Sequence, residues 1–243
     1  MLFVCIKTEF MKLRRSFVWL ACFVIPVIPA ILGTANYMGN LGLLTREWDS
    51  LWTQQTLFYG CFFFAPLIAV YCAYLWRVEN FGHNRNVLMT SPVPLTCIFL
   101  GKLTVTALVT VITQLWVFVL FIVGGKFAGL SAFPPLRNFW WDMRAIPGGI
   151  ACAAAILLLS MCIRSFAVPI ALSLVLSFAG FFFTNQGWGI YFPFSLISYG
   201  MNSNSADDKL SGAMPLFLLI CAIYIALFSA VAVHLMRTRD VKA

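Results

Sequence analysis

Charge is what this sequence has least of. Asp and Glu number 8 and Lys and Arg 16 among 243 residues, so 10% of the chain is charged, against about 25% in an ordinary soluble domain. With 62% hydrophobic residues and a mean hydropathy of +0.93, the chain cannot cover a globule with polar groups, which excludes a soluble monomer. Histidine is nearly absent: His83 and His234 stand far apart and give no zinc spacing. The eight cysteines (Cys5, Cys22, Cys61, Cys72, Cys97, Cys152, Cys162 and Cys221) form no CxxC pair and read as reduced apolar residues, with no metal site. There is no phosphate-cradling Gly-rich loop, no G-x-S-x-G, no H-E-x-x-H and no acidic cluster inside an apolar run. The enzyme classes that need those groups therefore drop out, leaving a chain with no catalytic residues, no cofactor of its own and no ATPase site.

What is present is lipid-soluble helix. The apolar runs continue through both faces, as in 57–75, instead of alternating over about ten residues as barrel strands do. Six uncharged runs can each cross about 30 Å of hydrocarbon: 17–35, 57–75, 103–123, 146–163, 165–184 and 213–236. The fourth and fifth are parted only by Ile163, Arg164 and Ser165, which implies a tight hairpin. Small residues at Gly33, Thr34 and Ala35 also fit a signal-peptide cleavage site, but the preceding segment is too long and too patterned for a simple n-region.

The net charge of +8 follows the positive-inside bias and attraction to anionic lipid. No basic patch with interleaved aromatics argues for nucleic acid. With the amino terminus inside, one face holds Lys7, Lys12, Arg14, Arg15, Arg77, Arg85, Lys102, Arg164, Arg237, Arg239 and Lys242. The other holds Arg46, Lys126, Arg137, Arg144 and Lys209. Eleven cations against five put both termini in the cytoplasm. The expected fold is an all-α integral membrane protein, a single domain over 1–243 with six transmembrane helices.

Residues 1–16 add an amphipathic helix at the membrane surface. Leu2, Ile6, Phe10, Leu13 and Phe17 fall within an arc of roughly 80° on a helical wheel. Lys7, Lys12, Arg14 and Arg15 point elsewhere, toward lipid headgroups or a cytoplasmic partner. Between the second and third runs, residues 76–94 combine Arg77, Glu79, Arg85, an apolar patch at Val87, Leu88 and Met89, and terminating Pro92 and Pro94. A solvated connector has no need of such a patch, so this segment reads as a partner surface. Lys102 reads as a snorkelling anchor at the start of the third span. Thr104, Thr106, Thr110, Thr113, Gln114, Ser173 and Ser177 suit helix association. Phe139, Trp140, Trp141, Trp188, Tyr191, Phe192, Phe194 and Tyr199 form an outer interfacial belt.

Thr8-Glu9-Phe10-Met11-Lys12-Leu13-Arg14-Arg15-Ser16, followed by a Trp-bearing span, resembles the start of type-2 ABC exporter permeases. Within them the likeness is to lantibiotic-immunity and bacitracin-resistance permease subunits. The same order continues with Glu79-Asn80, Arg85, Leu88, Pro92-Val93 and Gly101-Lys102-Leu103, with Phe58-Tyr59, Pro66 and Tyr191-Phe192-Pro193 as further marks. Asn84 stands where many relatives carry Trp.

The resemblance implies a permease subunit of an ATP-driven exporter in the bacterial plasma membrane, removing antimicrobial peptides to give immunity or resistance. It implies two copies of a separate ATPase that binds ATP and Mg, and a second permease subunit, as a homodimer or heterodimer. The ATPase-coupling role falls on Glu79, Asn80, Gly82, Arg85 and Leu88. Trp140, Trp141, Trp188, Tyr191 and Phe192 are candidates for a substrate surface at the outer leaflet. An ABC permease for another lipophilic drug or a lipid, a non-transporting membrane partner and a membrane-embedded enzyme are the alternative readings.

The charge split is directly testable. A cysteine placed at position 240 of a variant without native cysteines should react only with a reagent that reaches the cytoplasm; labelling from outside overturns the topology.

Overall fold

A computed structural model describes residues 1–14, 16–80, 92–205 and 207–238. Every regular element among them is helical. In chain order these are α1 (Leu2–Leu13), α2 (Val18–Val24), α3 (Val27–Gly39), α4 (Glu47–Phe58), a π-helical turn (Tyr59–Phe63), α5 (Phe64–Asn80), α6 (Leu95–Phe127), α7 (Leu136–Cys162), α8 (Ala167–Asn185), the short α9 (Leu196–Gly200) and α10 (Met214–Thr238). In hydrocarbon no water is available to backbone N–H and C=O groups, so a lone segment must satisfy them internally, as a helix does. Proline marks the interruptions. Pro26 separates α2 from α3, and Pro94 and Pro135 precede α6 and α7, where first-turn N–H groups have no helical partner to lose.

Six helical stretches are long and apolar enough to span a membrane: Val18–Gly39, Glu47–Asn80, Leu95–Phe127, Leu136–Cys162, Ala167–Asn185 and Met214–Thr238. The chain is a multi-pass integral membrane protein. Three of these stretches start earlier than the apolar runs do: at Glu47 rather than Leu57, Leu95 rather than Leu103, and Leu136 rather than Ile146. The added turns carry Asp49, Gln55, Lys102 and Asp142, all buried against other helices. A polar side chain ends a span only when it faces lipid; facing protein, it can be satisfied and the helix continues.

α7 lies at the centre, packed on α5, α6, α9 and α10. Two thirds of the apolar stretch of α7 and of α4–α5 is buried, against 17% for α10, which therefore belongs to the lipid-facing perimeter. Small residues permit this closeness: Ala151, Ala153 and Ala154 are fully buried, and a Cβ on Gly148 would stand 2.6 Å from the Leu196 carbonyl oxygen of α9. The expected hairpin is present, with 163–166 joining α7 to α8.

Successive spans alternate in direction, so the bundle has two distinct ends. At one, α1 lies along the start of α6, with Cys5 against Gly101. At the other, Arg46 pairs with Asp207 at 3.1 Å and Arg144 with Asp208 at 3.1 Å. The Trp52 indole N–H also donates to the Met201 carbonyl at 2.9 Å. These contacts tie the loop before α10 to α4 and α7. Burial pushes the Asp208 carboxyl up, but hydrogen bonds from Arg144 and the Leu210 amide outweigh it and hold it below the usual range.

Near this second end the Trp48 ring lies directly on Gly125 of α6 and edge-on to Phe121, at 5.2 Å between centroids. Gly125→Ala places a methyl inside that ring, and overpacking of this kind costs about 1–3 kcal/mol. Thermal unfolding in detergent should show a lowered melting temperature, with part of the loss recovered when Trp48→Leu is added.

Candidate functional site

The strongest concentration of buried charge sits at the end that carries α1. Glu9 and Lys12 come from α1, Glu79 from the last turn of α5, and Lys102 from the second turn of α6. Glu9, Leu13 and Cys5 share one face of α1 by their four-residue spacing, and that face meets α6. The Lys102 ammonium is wholly buried and uses all three of its N–H donors: Glu79 Oε1 at 2.5 Å, Glu9 Oε2 at 3.0 Å and the Leu75 carbonyl at 3.1 Å. It also lies 4.8 Å from the centre of the Trp76 ring, a favourable cation–π placement. Lys12 donates to Glu9 Oε1 at 2.6 Å and to Glu79 Oε1 at 2.8 Å. Two carboxylates and two ammonium groups therefore neutralise one another in a cluster shared by three helices.

Burial lowers the pKa of Lys12, but the carboxylates of Glu79 and Glu9 outweigh it and hold the ammonium above its ordinary value. The stability it contributes is complete below the unfolded lysine value of about 10.4 and fades as pH rises through the higher folded value. Lys12 is thus charged at neutral pH.

This geometry corrects two expectations. Lys102 does not snorkel: its ammonium is enclosed by carboxylates and a carbonyl and has no route to water. Lys12 turns to Glu9 and Glu79, whereas Lys7 and Arg14 are exposed; Arg15 lies outside the described residues. Of the expected coupling residues, Glu79 is buried with its carboxylate turned into the chain, and Asn80 is half-buried beside it. Gly82, Arg85 and Leu88 lie outside the described residues.

At the opposite end Trp140, Trp188 and Tyr191 are exposed, with Trp188 edge-on to Tyr191 at 6.5 Å. Trp141 is not part of that surface, being buried against the core, and Phe192 is half-buried on the same core. α7 is already helical at these positions, so neighbouring Trp140 and Trp141 face opposite environments.

Sequence reasoning missed Glu9 as a structural residue and Asp142 as a buried helical one. A signal existed for Glu9: it is the lone acid among the cations of α1, one turn from buried Leu13. For Asp142 the flanking Arg137 and Arg144 mimicked a loop.

The profile described as ABC-2 family transporter protein matches residues 5–180. The chain belongs to that family. It is the membrane-spanning permease subunit of an ABC transporter and works with ABC ATPase subunits. No curated protein matches the chain. The match begins within α1 and ends within α8, so the whole ion cluster of this ABC-2 permease lies inside the family region.

Removing one member of the cluster strands a buried charge, at a cost of about 3–5 kcal/mol. Lys102→Met should therefore lower the melting temperature sharply. Glu79→Gln added to it should restore part of the loss, and a double-mutant cycle measured by thermal unfolding reads that coupling.

Proposed function

We propose that this ABC-2 permease is half of the membrane unit of an exporter that clears antimicrobial peptides of the lantibiotic or bacitracin kind from the bacterial plasma membrane. Both termini are cytoplasmic, two copies of a separate ATPase bind ATP and Mg, and a second permease completes the path. The observation that carries this reading is the buried cluster at the ends of α5 and α6. These helices bracket 81–91, the segment proposed to seat on the ATPase through Asn80, Gly82, Arg85 and Leu88. Because Glu79 and Lys102 join both helix ends to α1, a push on that segment displaces three elements together instead of bending a loop. Glu79 then serves as the internal strut of the coupling segment rather than as its contact to the ATPase.

Trp140, Trp188 and Tyr191 offer aromatic faces to an amphipathic peptide leaving the outer leaflet. A groove of about 400 Å³ between α3 and α6, lined by Val27, Ile31, Met38, Leu120, Val123 and Phe127, favours a second reading in which the cargo is a lipophilic drug or a lipid.

Leu88→Asp decides the coupling. With a carboxylate set in an apolar contact, the ATPase should no longer copurify and peptide resistance should fall, at unchanged membrane abundance of the permease. Full resistance and full ATPase recovery would reduce 81–91 to a connector. Resistance to lantibiotics and bacitracin, measured beside resistance to uncharged lipophilic drugs, separates the two cargo readings.

A further inference from the structure

Asp142 lies in α7, fully buried, about 9 Å along the helix axis from its start at 1.5 Å per residue. Its Oδ1 accepts from Gln114 Nε2 of α6 at 3.2 Å, and the same amide nitrogen lies 3.4 Å from the Asp142 carbonyl. Gln114 Oε1 in turn accepts from the Tyr59 hydroxyl at 2.8 Å, at the first residue of the π-helical turn. Asp142 Oδ2 has no hydrogen-bond partner among the described residues. One turn back on the same face of α7, the Oδ1 of fully buried Asn138 is likewise without a partner. Two buried acceptors thus share one helix face with no donor between them.

No charged side chain among the described residues makes a hydrogen bond or ion pair with Asp142. On α7, Arg137 is paired with Asp49, its Nε 3.1 Å from Asp49 Oδ1, and Arg144 is paired with Asp208 through Nη1 and Nη2, its buried Nε having no partner among the described residues. α5 and α10 carry their charges near the α1 end, at Arg77 and Glu79 and at Arg237, with His234 close by. α6 carries Lys102 and Lys126 near its two ends, α8 and α9 carry none, and Asp207 and Lys209 stand in the loop before α10. Among the described residues the other titratable groups buried in the bundle are Tyr37, Tyr59, Tyr71, whose hydroxyl is bonded to Thr113, and the thiols of Cys22, Cys61, Cys72, Cys152 and Cys221.

An isolated carboxylate in such surroundings is strongly disfavoured. One turn from Asp142, Asn138 Nδ2 lies 3.4 Å from Asp49 Oδ1, and Asp49 lines a cavity of about 510 Å³ with Arg46, Glu47, Arg137 and Asp207.

We infer that Asp142 is a proton-binding site, filled from this charged cavity by way of Asp49 and Asn138, and that its proton holds α7 against α6 and the π-helical turn. A hydronium ion that enters past Asp49 and Asn138 gives its proton to Asp142 Oδ2, where an O–H bond forms, and leaves as water, with neither Asp49 nor Asn138 changing its protonation. Loss of the proton restores a bare carboxylate and favours arrangements in which α7 parts from α6 and water enters. The site thereby links proton occupancy to helix separation, whichever cargo the permease carries.

The test uses the full chain in lipid nanodiscs. Infrared spectra of the wild type at neutral pH should contain the carbonyl stretch of a protonated carboxylic acid that Asp142→Asn removes and Gln114→Leu shifts. Because the folded state holds the extra proton, wild-type stability should fall as pH rises above the ordinary carboxyl range, by up to about tenfold in the folding constant per pH unit. Asp142→Asn, the isostere of the neutral acid, should fold and lose that dependence. A wild type without the band, an Asp142→Asn chain that does not fold or keeps the same pH dependence, or a melting temperature that follows sodium instead of pH would each overturn the inference.

Discussion

An ammonium group with no access to water governs one end of this molecule. Lys102 is held by two carboxylates and a carbonyl, so its position is set by α1 and α5 as much as by α6. The desolvation cost of four charges is recovered only while all four are in contact. Small displacements within the cluster are therefore expensive, and the three helices behave as one body. In this ABC-2 permease the cluster therefore ties the end of α5 and the start of α6 to α1.

The bundle interior is linked by polar side chains as well. Tyr59, Gln114 and Asp142 form a chain across the π-helical turn, α6 and α7, while Cys22, Tyr71 and Thr113 form another joining α2, α5 and α6. Lipid is as apolar as the side chains of the core, so burial alone gives little reason for these helices to associate. Polar links and the close contacts at Gly125, Gly148 and the alanines of α7 supply it. The π-helical turn, with a bonding pattern that differs from the helices on either side, places Tyr59 where it can reach α6.

The two ends differ in kind. At the α1 end charge is buried and mutually neutralised. At the other, Arg46 reaches Asp207 and Arg137 reaches Asp49 beside a cavity of about 510 Å³, while Arg144 reaches Asp208. The exposed Arg46 to Asp207 pair contributes little stability and is screened by salt. It fastens the loop before α10 loosely, whereas the more buried Arg144 to Asp208 pair and the Trp52 to Met201 hydrogen bond fasten it more firmly.

Composition and hydropathy alone determined the helical membrane class, the six spans and the α7–α8 hairpin, because a segment crossing lipid must be apolar and internally bonded whatever surrounds it. The amphipathic pattern of residues 1–16 likewise foretold α1. Tertiary structure decided what the charges do. Lys102 read as an anchor, Glu79 as a surface contact and Asp142 as a loop residue, since local sequence shows a charge but not the partner that comes from 23, 93 or 28 positions away. The early starts of α4, α6 and α7 were hidden for the same reason: a polar residue that ends a span against lipid continues it against protein, and only the packing of the other helices determines which it meets.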